Sequence, residues 1–391
     1  MPFFHRVGDI PRRRHTAFRS PEGELYYEQL MGEEGFSSDS SLLYHRRPPT
    51  RTISTSAVSG PTRFDTNHPL RARLFQMADI EVGGDPVLAR HSLVGNPDIA
   101  VSYVAANEDS ALYRNVGGDE LWYVEEGEGI RLETSFGVLT VGRGDYVVMP
   151  CGAVHQWRLN GATMRALVFE SRGHIKPPSR FRSDAGQFIE DSPYCEMDFR
   201  VPEGPLLVES DGPVEVLVRN HNGLTRDLNA WHPFDVVGWF GCFYPYALSI
   251  YDYSPITGRF HRPPPVHQVF EAPGAVICNF VPRLLDWGED AIKIPAYHSN
   301  VDSDEILFYA EGDFFSRRGS GIRQASVSLH PGGVIHGPHP GSLEPSFAAT
   351  KAEEYAVMLD TFQPLLVGDA ATGVEDASYE ASWLPADYAD R

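Results

Sequence analysis

Long apolar runs are missing from this chain of 391 residues, and so is an excess of positive charge. No stretch approaches the length that a helix needs to cross a bilayer, and the opening MPFFHRVGDIPRRRH lacks the uninterrupted apolar segment of a signal peptide. A soluble, cytoplasmic protein with no membrane partner is expected. Lys and Arg number 33 against 53 Asp and Glu, a net charge of −20 that argues against nucleic acid as a partner. The basic clusters IPRRRH and YHRRPPTR read as a solvated arm or as ion pairs with acidic neighbours. Cysteine is scarce: Cys151, Cys195, Cys242 and Cys278 are far apart and form no C-x-x-C pair, so reduced thiols without a chemical role are expected. Sustained helical periodicity is rare too, with ELYYEQLMG and the YAVMLDTF region the better short candidates.

Gly and Pro are abundant, 36 and 31 residues, which suits short strands joined by tight turns. Stretches such as ELWYVEEGEGIRLET, VLTVGRGDYVVM and AVICNFVPRLL carry the β-branched and aromatic enrichment of strands. Chemistry concentrates in two pieces. HSNVDSDEILFYAEG has the form H-x-N-x4-E-x6-G from His298 through Asn300 and Glu305 to Gly312; HPGGVIHG holds P-x-G-x2-H from Pro331 through Gly333 to His336. Together they resemble the two motifs of the cupin barrel, with Asn300 where a typical member has a second histidine. The remaining two imidazoles and one carboxylate suit non-heme Fe(II), because such a set leaves positions open for substrate and O2.

The pattern occurs a second time upstream. Glu120 and Gly127 repeat the Glu305 to Gly312 spacing, and Gly144, Pro150, Gly152 and His155 repeat the second motif, but Tyr113 and Asn115 stand in the histidine places. The expected architecture is therefore all-β, with tandem cupin (double-stranded β-helix, jelly-roll) barrels: an N-terminal arm over 1–60, a first barrel with a degenerate metal site over 61–225, and a second, catalytic barrel with an acidic tail over 226–391. At the tail's tip, Trp383 and Leu384 are candidates to dock.

Further strings carry a closer resemblance. LYYEQLMG followed by LLYHRRPPT, then AWHPFD, HRPPPVHQVFEA, YHSN and SLHPGGVIHGPH, fall in the order of the homogentisate 1,2-dioxygenase family, in its shorter bacterial form. The resemblance implies an Fe(II) enzyme that opens the ring of 2,5-dihydroxyphenylacetate with O2 to give maleylacetoacetate in tyrosine and phenylalanine catabolism. It also implies a homo-oligomer, a trimer or larger. On that reading His298, Glu305 and His336 bind iron, with His336 also beside the substrate. His261 orients or deprotonates the phenol, and His330 sits beside the substrate or O2 pocket. Arg317 matches a basic residue of the family and can grip a carboxylate at two points; its neighbour Arg318 reads as a surface residue. Phe314 and Ser299 depart from the family's tyrosine and arginine, and Asn300 faces the substrate side. The readings left open are a ring-cleaving dioxygenase for gentisate or another substituted hydroquinone, a cupin isomerase or hydrolase using another metal, and a non-catalytic bicupin binding protein.

Overall fold

A computed structural model describes residues 3–262 and 264–384. Among these residues the elements are almost all strands, with only two short α-helices, Leu343–Ser346 and Asp369–Thr372. No helix among them is long and apolar enough to cross a membrane. The chain folds as two compact units: 1–62, 82–90 and 104–249 form one, and 63–81, 91–103 and 250–391 form the other.

In the first unit Glu120–Glu126 lies between Asp145–Met149 and Met164–Ser171, and Tyr246–Ser249 extends this sheet beyond Asp145–Met149. A second sheet runs from Gly137–Val141 through Ile130–Thr134, His155–Arg158, Leu112–Asn115, Val214–Asn220 and Gly223–Asn229 to Thr52–Ser59. Its interior is aromatic: Trp122 and Trp157 are fully buried with ring centroids 4.9 Å apart. The N-terminal stretch is built into a sheet. Tyr27–Gly32 pairs with Ser40–His45, which pairs in turn with Val236–Gly241, and His5–Gly8 lies on the other side of that last strand.

In the second unit Asp304–Gly312 lies between Glu354–Thr361 and Ser326–His330. Ala275–Phe280 and Gln268–Ala272 continue the sheet on one side, and Arg73–Gln76 closes the other. The motif glycine at the end of the central strand has a structural reason. Gly312 has φ +105°, and a Cβ there would come within 2.1 Å of the Glu353 carbonyl oxygen.

Two expectations are corrected. ELYYEQLMG contributes the strand Tyr27–Gly32, and YAVMLDTF up to Thr361 lies in the strand Glu354–Thr361. The latter is hydrogen-bonded on both sides, and this pairing together with its Val, Tyr and Thr content outweighs a local helical pattern. The division between units also departs from a linear cut near residue 225. Val236–Gly241 and Tyr246–Ser249 pair with strands of the first unit, whereas Arg73–Gln76 pairs with a strand of the second.

Candidate metal centre

Glu305 stands near the start of the central strand of the second unit, opposite His330 on one side and Asp360 on the other. His298 and His336 come from irregular chain, and each donates its backbone N–H to the other's carbonyl at 2.9 Å. This bridge brings the two rings to a centroid separation of 4.4 Å. One ligand atom from each of His298, Glu305 and His336 lies within 4.8 Å of the others.

Protonation is arranged for coordination. His298 Nδ1 is 2.7 Å from the Ala296 carbonyl and His336 Nδ1 is 3.0 Å from that of Val334. A carbonyl only accepts, so Nδ1 is the donor on both rings, and in the neutral form that binds a metal each ring would present its lone pair on Nε2. His336 Nε2 is buried without a hydrogen-bond partner and lies 3.5 Å from a Glu305 oxygen. Two acceptors facing each other at that distance fit a cation between them, and the donor set suits a borderline metal such as ferrous iron.

His330 is already committed. Burial pushes its pKa down to about 4, so the ring is neutral at pH 7. Its Nδ1–H donates to Glu305 at 2.8 Å, and its Nε2 accepts from the Tyr379 hydroxyl at 3.0 Å. For Glu305 burial works to raise the pKa, but the hydrogen bond from His330 helps to hold it well below the usual carboxylate range. His330 thus lies behind the carboxylate and does not line the cavity in front of it, in contrast to the expected place beside the substrate or O2 pocket. Its ring also stacks on His336, 4.2 Å between centroids.

That cavity has a volume of about 360 Å³ and is bounded by His298, Asn300, Glu305, Arg317 and Asp360 among others. Asn300 donates to Asp360 at 3.2 Å. Burial, and then the Glu305 charge, raise the Asp360 pKa to about 7. Arg317 is buried and donates to the Gly337 carbonyl; among the described residues it makes no ion pair with a carboxylate. His261 is at the cavity margin and exposed. Phe314 is not on the wall: it packs edge-on against Tyr309, 5.0 Å between centroids. His336 likewise does not line the cavity, so its contribution is behind the wall. Arg318 is an exposed partner of Asp313. His339 is buried, bonded to Ser382 at 2.8 Å and stacked on Trp383, which docks by donating to the Gly337 carbonyl at 3.1 Å. Leu384 stays about half exposed.

Sequence reasoning missed Asp360, Arg283 and Glu354. A period-two reading of YAVMLDTF would have found Asp360, since Ala356, Met358 and Asp360 alternate onto the cavity side.

The chain is similar to known proteins along most of its length. Residues 86–252 match the family model described as homogentisate 1,2-dioxygenase N-terminal. SSO1533 of Saccharolobus solfataricus, which carries a provisional dioxygenase name, is 36% identical over 98% of this chain and 99% of its own. Homogentisate 1,2-dioxygenase of Rhodopseudomonas palustris strain BisB18 is 27% identical, covering 96% of this chain and 90% of its own; that of Emericella nidulans is 26% identical over 78% and 73%. This chain belongs to the homogentisate 1,2-dioxygenase family. Among the described residues it is nearly all β, it is an oxidoreductase of the dioxygenase kind, and the family implies a metal cofactor.

Proposed function

We propose that the protein is an Fe(II)-dependent ring-cleaving dioxygenase that converts homogentisate and O2 to maleylacetoacetate. The observation that carries this reading is the convergence of ligand atoms from His298, Glu305 and His336, with the His336 Nε2 buried and unpartnered, beside a cavity whose wall holds His298, Glu305 and a buried guanidinium. These three residues would hold the metal. When bound, ferrous iron supplies a redox centre with open positions at which a phenol and O2 can meet.

The remaining steps belong to side chains. Arg317, buried and without a carboxylate partner among the described residues, supports a role in holding the substrate's anionic substituent. His261, at the open margin, would take a phenolic proton and pass it to solvent, a role supported by its place on the cavity lining. Asn300 orients Asp360 on the wall beside Glu305. His330 fixes Glu305 from behind, a positioning role.

A cytoplasmic location fits the four cysteines, all free thiols. The reading includes a homo-oligomer, a trimer or larger; the exposed edge strand Thr52–Ser59, which presents Ile53 and Val58 to solvent, supports self-association without bearing on the number of copies.

The test is anaerobic reconstitution with Fe(II), followed by O2 uptake and product absorbance with homogentisate and gentisate side by side. Uptake with homogentisate and the maleylacetoacetate chromophore are expected. Uptake with gentisate alone would keep the reaction class and reject the substrate; uptake with neither would reject both.

A further inference from the structure

One polar side chain on the cavity wall has no protein partner. His267 ends the short turn Pro264–His267, is 8% exposed, and lines the cavity beside Phe280 and Arg283. Its ring lies against that of Phe280, 4.7 Å between centroids at 40°. Among the described residues neither ring nitrogen makes a hydrogen bond. Its neighbour Arg283 is occupied: it donates to the Val281 carbonyl at 3.1 Å and to Glu354 at 3.3 Å, and lies over Phe280.

Burial, and then the Arg283 charge and His261, push the His267 pKa down to about 3. The ring is therefore neutral at pH 7, with one N–H and one lone pair both unmatched. The ring nitrogens are not sealed in the protein but open to the cavity, so a molecule bound there can replace water as their partner. The positive Arg283 nearby keeps the lone pair free of a proton, which favours a donor as that partner. A phenolic hydroxyl is a donor; an ionised carboxylate only accepts.

We propose that His267 binds the substrate directly, one ring nitrogen accepting a hydrogen bond from a phenolic hydroxyl of an aromatic ring in the cavity. The inference rests on the reading of this cavity as the substrate site of a ring-cleaving dioxygenase. It adds a second contact with a hydroxyl, separate from the metal ligands and from the Arg317 end.

The test is anaerobic titration of the Fe(II)-loaded protein with hydroquinone and with 4-methoxyphenol, which keeps one hydroxyl and lacks the other. Wild type is expected to prefer hydroquinone by about tenfold, the scale of one hydrogen bond. His267→Phe keeps the stacking and removes the acceptor, so it is expected to bind both ligands alike, with a thermal midpoint equal to or above that of wild type. His267→Gln restores an acceptor and is expected to recover part of the preference. A His267→Phe protein that still discriminates, or that loses both ligands together with several degrees of thermal stability, overturns the proposal. So does a wild type that shows no preference. Failure of homogentisate to elicit O2 uptake, alongside the expected titrations, would reject the reaction and leave the His267 contact standing.

Discussion

The two units carry the same motif skeleton around a buried glutamate, yet they provide its counter-charge in different ways. In the first, Glu120 receives two hydrogen bonds from Arg90 at 3.0 and 3.1 Å, one from Tyr113 at 2.5 Å, one from Asn115 at 3.0 Å and one from Trp122 at 3.0 Å. The Arg90 guanidinium lies over the rings of both Tyr113 and Trp122, 5.1 and 4.8 Å from their centroids. In the second, Glu305 has one well-formed side-chain hydrogen bond, from His330, and faces the unpartnered Nε2 of His336. A buried carboxylate needs a cation. The first unit supplies one from its own chain, and the second leaves room for a metal. The residues at the histidine places mark the difference: Tyr113 and Asn115 donate to Glu120, whereas His298 offers a lone pair.

The largest effect should come from removing a ligand in the second unit. His336→Ala is expected to abolish both metal binding and O2 uptake, as read by metal analysis and an oxygen electrode, whereas His155→Ala should keep both. A variant of His336 that retains both would remove this residue from the centre.

Next comes Arg90→Met. Leaving Glu120 buried and unpaired should cost about 3–5 kcal/mol in denaturant unfolding of the first unit. Metal content should be unchanged, and a loss of metal would break the comparison.

Acid acts on the first unit in two stages. Burial, chiefly, lowers the His155 pKa to about 4 from 6.5. The unfolded chain therefore binds the proton first, and stability falls as pH drops from 6.5 towards 4, by about 3 kcal/mol in all. For Glu120 burial opposes ionisation, but Arg90 outweighs it and holds the pKa to about 2. Its contribution is present above 4.5 and is lost later, as pH falls through 2. Urea unfolding at pH 7 and pH 4.5 should show the His155 loss, and His155→Gln should flatten it. An unchanged slope in that variant would reject the assignment.

The smallest effect concerns positioning. His330→Phe removes the hydrogen bond behind Glu305, and metal affinity should fall by about 10–100-fold without vanishing. Competition with a chelator measures it, and unaltered affinity would mean that Glu305 is held by the strand alone.

Much of the second site was legible before any coordinates. His298, Glu305 and His336 are tied by local spacing, because a strand start, a turn and a return strand fix where their side chains can go. The fate of the first site was legible only in part. Tyr113 and Asn115 signalled that the metal set was broken, but Arg90, which replaces the cation, lies thirty residues before Glu120 and outside both motifs. Hydrogen-bond register joins distant segments, and no local pattern announces it. The same holds for the exchange of strands that assigns Arg73–Gln76 to one unit and Val236–Gly241 to the other. Phe314 and Asp360 show a third limit. Which side of a strand or turn meets a cavity depends on the whole wall, so Phe314, a candidate, packs inward, while Asp360, unremarked within YAVMLDTF, faces the cavity.

The central claim is that, of the two motif glutamates, only Glu305 takes a metal, because Glu120 already has its own cation in Arg90; a group of Glu33, Asp119 and His174 in the first unit lies outside both motifs and has Lys176 as a partner of Glu33. Anaerobic titration of metal-free protein with Fe(II), by calorimetry, tests it most directly. The account predicts one equivalent per chain, lost in His336→Ala and preserved in Glu120→Gln. Two equivalents, none, or a single equivalent that survives His336→Ala would contradict it.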